Sequence, residues 1–111
     1  MWYKTARVEF VQKGKLHPFF ISGRTVVLAV IDNGSVVSFD GECPHRGGPL
    51  KDGELSGSTV ICPWHRFEFS LESGKPVLIP YSEKYGSWRS TGDLILYRNS
   101  IRDGEIWVEV P

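Results

Sequence analysis

The chain has 111 residues with 13 basic and 13 acidic side chains, so its formal net charge at pH 7 is zero. A chain of this length predicts a single domain over residues 1–111, with no room for a separate substrate-binding catalytic domain. The balanced charge gives no reason to expect nucleic acid or an anionic membrane as a partner, and no run reaches the roughly 18 apolar residues of a membrane helix.

Strand patterns dominate the N-terminal part of the chain. Residues 5–11 alternate, with Val8 and Phe10 on one face, and residues 25–31 are a β-branched run typical of a buried strand. The Asp32-Asn33-Gly34 turn predicts that residues 35–39 return as the second arm of a hairpin.

Two short segments then hold both cysteines and two of the three histidines of the chain: Cys43-Pro44-His45 and Cys62-Pro63-Trp64-His65. Each segment offers one thiolate and one imidazole, unlike the CxxC and HxxxH spacings that usually hold a single tetrahedral metal ion. Two ligands so close in the chain more naturally reach two metal atoms. A [2Fe-2S] cluster has this geometry, with both cysteines on one iron and both histidines on the other, as in a Rieske centre.

Three other interpretations of these residues are open. A disulfide between Cys43 and Cys62 would leave the histidines unexplained and would need an oxidising compartment, of which the sequence gives no sign. A structural zinc site uses the same residue types, but zinc-finger order places the cysteine pair before the histidine pair. The third interpretation is two buried structural cysteines with incidental histidines nearby.

Further short strands are predicted after the first cysteine segment. Residues 59–62 and 66–71 flank the second segment, and residues 94–97 and 105–110 are predicted as a final hairpin. No helical period of convincing length is present. The chain is therefore predicted to be all-β, an antiparallel sandwich or barrel with the ligand loops in a smaller sheet inserted at one end.

Residues 81–93 interrupt this pattern. They form a long polar and aromatic connection for so small a domain, and loops of this length are often functional. Tyr85 and Trp88 in this loop are predicted to pack over the cluster-binding part or to contact a partner protein.

Residues 42–80 resemble the cluster-binding subdomain of the Rieske family. The separation of the two segments by residues 46–61 is typical of Rieske ferredoxins, and Gly53, Gly74 and Pro80 match their turn glycines and proline-bearing third loop. The resemblance implies one Rieske-type [2Fe-2S] cluster per chain and a Rieske-like fold whose inserted subdomain covers approximately residues 40–82. By the same resemblance the cluster and metal ligands are Cys43, His45, Cys62 and His65.

Four positions differ from the Rieske proteins of respiratory and photosynthetic cytochrome complexes. Those proteins carry a further cysteine in each loop, joined as a disulfide, where this chain has Gly48 and Trp64. They also carry a serine and a tyrosine where this chain has Phe67 and Phe69. Hydroxyl donors to cluster sulfurs stabilise the reduced state, so we predict a potential at the low end of the Rieske window of about −150 to +300 mV.

The function implied by the resemblance is that of a soluble electron carrier rather than an enzyme. Its partners would be redox proteins, a flavin-dependent reductase and an oxygenase or other acceptor, with no small-molecule substrate, nucleic acid or membrane. Two alternatives are the small subunit of an assimilatory nitrite reductase and a redox-sensing domain. The third histidine, His17, is predicted to be a surface or loop residue. Without an apolar signal segment, and with both cysteines committed to metal, the predicted location is the cytoplasm.

Overall fold

The computed structural model describes residues 1–44, 47–64, 66–78 and 91–111. Within these ranges the chain forms short antiparallel strands in three sheets, which confirms the predicted all-β class. The helices in the described residues are 3-10 turns, Val8–Phe10 and Leu50–Asp52, and neither is long and apolar enough to cross a membrane. The strands are β1 (Trp2–Arg7), β2 (His17–Ile21), β3 (Arg24–Val30), β4 (Val36–Asp40), β5 (Glu54–Ser56), β6 (Thr59–Ile61), β7 (Glu68–Ser70), β8 (Pro76–Leu78), β9 (Leu96–Tyr97), β10 (Asn99–Arg102) and β11 (Glu105–Glu109).

The central sheet has the order β2-β3-β4-β9 and carries a hydrophobic core on each face. Consecutive residues of β3 alternate between these cores, and a strand covered on both faces reads as one continuous apolar run. The cysteine-side core consists of Val27, Ala29, Ile31, Phe39, Cys43, Leu50, Val60, Cys62, Phe67, Phe69, Leu71 and Leu94. The outer core consists of Val11, Ile21, Val26, Leu28, Tyr97, Ile106, Val108 and Val110. The predicted hairpin of residues 25–31 and 35–39 is confirmed as β3 and β4.

The outer sheet has the order β1-β11-β10 and closes the outer core. Asp103 and Gly104 join β10 to β11 with φ values of 52° and 77°, the conformation of a two-residue hairpin turn. That turn pairs Arg102 with Glu105, so the arm before it must be residues 99–102. The predicted pairing of residues 94–97 with 105–110 is therefore wrong, because β9 joins β4 in the central sheet instead.

The first predicted strand is displaced. β1 reaches its last partner at Arg7, opposite Glu105, where β11 begins. Beyond that point Val8 donates its N–H to the carbonyl of Gly104 at 2.8 Å and the chain turns into the first 3-10 helix. Val8 and Phe10 thus lie in a turn rather than on one strand face, and Phe10 is exposed.

The third sheet, with the order β5-β6-β7-β8, lies in the chain between β4 and β9. It includes the predicted strands at residues 59–62 and 66–71, as β6 and β7. Gly53 permits its close packing, because a Cβ at that position would overlap the carbonyl oxygen of Ile61. Cys62 directly follows β6 of this sheet, Cys43 lies in the loop between β4 and the sheet, and both are buried in the cysteine-side core.

Candidate metal centre

The first cysteine loop leaves the central sheet directly after β4. Cys43 donates its N–H to the carbonyl of Gly48 at 2.8 Å, and Gly47 donates back to the carbonyl of Cys43 at 2.7 Å. Gly47 has a φ of 75°, which glycine adopts without the strain of a side chain. The returning chain is tied down where Leu50 donates its N–H to Gly41 at 2.8 Å. These hydrogen bonds hold the loop in a closed turn with Cys43 at its base.

The second cysteine loop joins β6 to β7. Cys62 donates its N–H to the carbonyl of Phe67 at 2.7 Å, which closes the turn. The backbone N–H of Trp64 points at the sulfur of Cys62, with the nitrogen 3.4 Å from Sγ. A backbone donor of this kind stabilises negative charge on a sulfur ligand.

Gly48 is the point at which the two loops meet. A Cβ on Gly48 would lie 3.0 Å from the Sγ atom of Cys62 and 3.1 Å from Cγ of the Trp64 ring. Gly48 and Trp64, which stand where the cytochrome-complex proteins have their two further cysteines, therefore lie close together. Cys43 and Cys62 are 1% and 0% exposed, and the structure holds them as thiols rather than as a disulfide.

The two thiols lie in largely apolar surroundings. Phe67 and Phe69 are both buried in the cysteine-side core, and neither carries a hydroxyl that could donate to a sulfur. Trp64 differs from them, since it is 48% exposed at the surface of the second loop. The site is thus dry on the core side, with one large aromatic side chain facing solvent.

Several predicted residues lie outside the described ranges: His45, His65, Pro80, Tyr85 and Trp88. Of the predicted ligand set the structure therefore places only Cys43 and Cys62, and no group of three metal-binding side chains occurs within the part of the chain it describes. Cys43 and Cys62 are buried in the same core on loops that approach each other at Gly48, and thiols are the donors that an iron–sulfur cluster requires. The described donors fit the predicted cluster, and the full ligand assignment stays a prediction.

A polar network beside the first loop has no counterpart in the sequence-based predictions. The hydroxyl of Tyr97 donates to Oδ2 of Asp40 at 2.6 Å, and Nη1 of Arg24 donates to the Tyr97 oxygen at 3.3 Å. Burial, followed by the hydrogen bond to Asp40, raises the pKa of Tyr97. The partners are 57 and 73 positions apart in sequence, so no local pattern reveals them.

His17 opens β2 and is partly buried, and its Nε2 accepts a hydrogen bond from the N–H of Gln12 at 3.0 Å. This imidazole nitrogen is engaged with the backbone of the preceding loop. His17, predicted to be a surface or loop residue, lies in a strand at the edge of the central sheet, where Pro18 is tolerated.

Comparison with curated proteins shows a partial match to much longer enzymes. The chain is 31% identical over 83 residues to the oxygenase component of 3-ketosteroid-9-alpha-monooxygenase from Mycolicibacterium smegmatis, a match that covers 75% of this chain and 21% of that protein. The chain thus spans about a fifth of the length of the curated relatives it matches.

Two solved structures share the fold over nearly the whole chain. A ferredoxin from Sphingomonas yanoikuyae B1 superposes with a TM-score of 0.83 at 20% identity, covering 100% of both chains. A ferredoxin-length chain in the complex of reduced oxygenase and oxidized ferredoxin of carbazole 1,9a-dioxygenase has a TM-score of 0.81 at 19% identity, covering 96% of this chain and 100% of that one. The family profile described as the Rieske [2Fe-2S] domain matches residues 1–103. The chain therefore belongs to the Rieske [2Fe-2S] domain family, whose domain carries a Rieske-type [2Fe-2S] cluster.

Proposed function

We propose that Cys43, His45, Cys62 and His65 bind one Rieske-type [2Fe-2S] cluster and that the chain is an electron carrier. It passes single electrons from a flavin-dependent reductase to an oxygenase or another acceptor. The observation that supports this most is the close approach at Gly48, where the loop that begins with Cys43 leaves no room for a side chain beside the Sγ atom of Cys62.

The residues around the thiols suit a one-electron centre. When bound, a Rieske cluster accepts and releases one electron. The Trp64 N–H stabilises negative charge on the Cys62 sulfur, while Phe67 and Phe69 keep water away from the core side of the site. Because these phenylalanines carry no hydroxyl donors, their burial supports a midpoint at the low end of the window of about −150 to +300 mV.

An oxygenase is the acceptor favoured by the comparisons. One similar structure is described as a complex of an oxygenase with its ferredoxin, and the chain matches that fold over 96% of its length. In this chain, Trp64 offers a half-exposed aromatic surface directly beside Cys62. A transient redox partner that buries only a small area would find its contact there.

Electron transfer can be tested with purified protein. Iron and acid-labile sulfide are quantified first, and the reduced protein is then mixed in a stopped-flow instrument with the oxygenase component of a carbazole 1,9a-dioxygenase. The proposal expects oxidation of the carrier at a rate that rises with oxygenase concentration. A cluster-loaded protein that transfers no electron to this or any other tested oxygenase would contradict an oxygenase as the acceptor, and one that also takes no electron from any tested flavin-dependent reductase would contradict the carrier role.

A second candidate function follows from the length of the relatives. Because the chain covers only 21% of a matched oxygenase component, it is also suited to be the Rieske domain of a longer oxygenase. The intact mass of the protein isolated from its natural cells separates the two candidates. A mass of about 12.5 kDa supports the carrier, and a several-fold larger mass supports the oxygenase.

We propose that residues 1–111 form a single domain with a cluster-binding subdomain at approximately residues 40–82, in the cytoplasm, where the thiols are kept reduced. A stable complex with a sirohaem subunit would instead assign the chain to an assimilatory nitrite reductase. Redox-dependent binding to another protein, without electron transfer, would assign it to sensing.

A further inference from the structure

The inserted sheet is joined to the central sheet at the paired ends of β4 and β9, which we call the neck (residues 38–40 and 95–97). The chain leaves the central sheet after Asp40, the last residue of β4, and returns to it at β9. At this neck Asp40 donates its N–H to the carbonyl of Ile95 at 2.9 Å, and Ser38 pairs with Tyr97 across the two strands. The side chains of Asp40 and Tyr97 lie where the subdomain begins and ends.

Both oxygens of the Asp40 carboxylate are engaged at this neck. Oδ1 accepts the backbone N–H of Glu42 at 2.8 Å, and Glu42 directly precedes Cys43. Oδ2 accepts the Tyr97 hydroxyl at 2.6 Å, a short bond of the charge-assisted kind. The carboxylate therefore connects the start of the first cysteine loop to the strand that follows the inserted sheet.

Tyr97 is well placed to hold that carboxylate in one orientation. Its side chain is 8% exposed and packs in the outer core, so the ring cannot readily move away. A tyrosine hydroxyl is protonated at neutral pH and can therefore donate, and burial and the bond to Asp40 raise the pKa of Tyr97 further. The Arg24 guanidinium donates to the Tyr97 hydroxyl oxygen. This bond completes a chain of hydrogen bonds from β3 through Tyr97 and Asp40 to the first cysteine loop.

The charge of Asp40 is also close to the site. Asp40 and Cys43 line one cleft of about 230 Å³, together with Pro44, Ile95 and two further carboxylates, Glu42 and Asp93. A carboxylate in this position opposes the arrival of further negative charge at the nearby Cys43 sulfur.

We infer that Asp40 is a positioning residue of the first ligand loop, held in place by Tyr97, and that its carboxylate lowers the reduction potential of the centre. The inference rests on the proposed function, since it takes Cys43 as a cluster ligand. It assigns a role to two residues outside the ligand segments, Asp40 before the inserted sheet in the chain and Tyr97 after it.

Three variants separate the positioning of the first ligand loop by Asp40 from the effect of its charge on the reduction potential. Asp40→Asn removes the charge but keeps an oxygen that can accept the Glu42 N–H. Asp40→Ala removes both. Tyr97→Phe removes only the hydroxyl that holds the carboxylate. Asp103→Asn, in the β10–β11 turn, is the matched charge control, and Tyr3→Phe is the matched hydroxyl control.

The readouts are the midpoint potential and hydrogen exchange of the Glu42 amide in the cluster-loaded protein. We expect Asp40→Asn to raise the potential by more than Asp103→Asn does. We expect Asp40→Ala to speed Glu42 exchange about tenfold or more, the loss expected for a hydrogen bond to a charged group. Tyr97→Phe should speed the same exchange less, and Tyr3→Phe should not change it.

Two results would overturn the inference: a potential in Asp40→Asn no higher than in Asp103→Asn, or Glu42 exchange unchanged in both Asp40→Ala and Tyr97→Phe. If an Asp40 variant fails to fold, Tyr97→Phe still tests the positioning through Glu42 exchange. A wild-type protein without iron and sulfide would contradict the proposed function instead. Iron and sulfide analysis of the wild type, made before any variant is compared, detects that outcome.

Discussion

The two faces of β3 support two different kinds of structure. On the outer face, Val26 and Leu28 pack against Ile106 and Val108 of a sheet whose strands are four to six residues long. On the other face the inserted sheet has strands of three residues each, and the loops between them place cysteines inside the core. The outer side is stabilised mainly by strand pairing and apolar packing. The cysteine side has less regular structure of its own, so its stability should depend on a bound cluster.

The largest effect should come from removing a thiol. Cys62→Ser or Cys43→Ser should abolish cluster binding and loosen the cysteine side, because a serine hydroxyl is a poor replacement for a thiolate at iron. Iron and sulfide analysis and the visible absorption spectrum measure the first effect, and thermal unfolding measures the second. A Cys62→Ser protein with the full wild-type iron content would show that Cys62 is not a ligand.

The next largest effect should come from the close approach at Gly53. Its φ of −82° is available to any residue, so Gly53→Ala tests packing rather than backbone strain. Its methyl group would overlap the Ile61 carbonyl, which is backbone and cannot rotate away, and should cost about 3 kcal/mol of unfolding free energy.

Gly92→Ala is the matched control for this variant. Its Cβ would meet nothing within 4 Å in the part of the chain that is described, so urea denaturation should give a change within about 0.5 kcal/mol. Equal stabilities for the two variants would mean that the inserted sheet does not pack as closely as the structure shows.

A pair of valines compares the two cores directly. Val60 lies in the cysteine-side core and Val108 in the outer core, and both are fully buried. Substitution by alanine should cost each about 2 kcal/mol, from lost transfer energy and the cavity left behind.

The two valines should differ in what happens to the cluster. Val60→Ala should accelerate the loss of iron to a chelator, because it loosens the side that holds the thiols. Val108→Ala should leave the rate of iron loss near that of the wild type. If both variants lost iron faster by the same factor, cluster retention would depend on the outer core as much as on the cysteine-side core, which would contradict the comparison.

The smallest effect should be a loss of unfolding free energy at alkaline pH, caused by Tyr97 at the neck between the outer side and the cysteine side. The pKa of Tyr97 is raised in the folded protein by burial and by Asp40, so above pH 10, the usual value, the unfolded chain loses this proton first. The contribution of Tyr97 is fully present below that pH and is lost as pH rises, by at most about 1.4 kcal/mol per pH unit for one proton.

Urea denaturation of the wild type and Tyr97→Phe across this range measures the effect. The wild-type advantage over Tyr97→Phe should be constant up to about pH 9 and should shrink above pH 10, the usual tyrosine value. An advantage that stays constant to pH 11 would contradict a raised pKa.

What could be predicted from the sequence is chemistry and pattern that are local in the chain. The CxH and CxxH segments predict the ligand types because metal donors lie at fixed short spacings. The run at residues 25–31 predicts a buried strand, although not that its two faces serve different cores. The β10–β11 pairing could also have been predicted from the local sequence. Asp103-Gly104 is a typical two-residue hairpin turn, and such a turn requires an arm that ends at Arg102.

What could not be predicted depends on partners that are distant in the chain. β1 ends at Arg7, which lies opposite Glu105, the first residue of β11. The strands β5 and β8 are short and carry little alternation, so their pairing with β6 and β7 decides their conformation. The bond between Asp40 and Tyr97 joins residues 57 positions apart, and only the folded neck brings them together.

The electron paramagnetic resonance spectrum of the reduced protein tests the central claim most directly, because it reports the ligands of the cluster in the intact chain. Coordination by Cys43, His45, Cys62 and His65 predicts an average g value below that of an all-cysteine [2Fe-2S] ferredoxin. It also predicts that His45→Cys or His65→Cys shifts the spectrum toward that type. A wild-type average equal to that of an all-cysteine ferredoxin would contradict the ligand assignment.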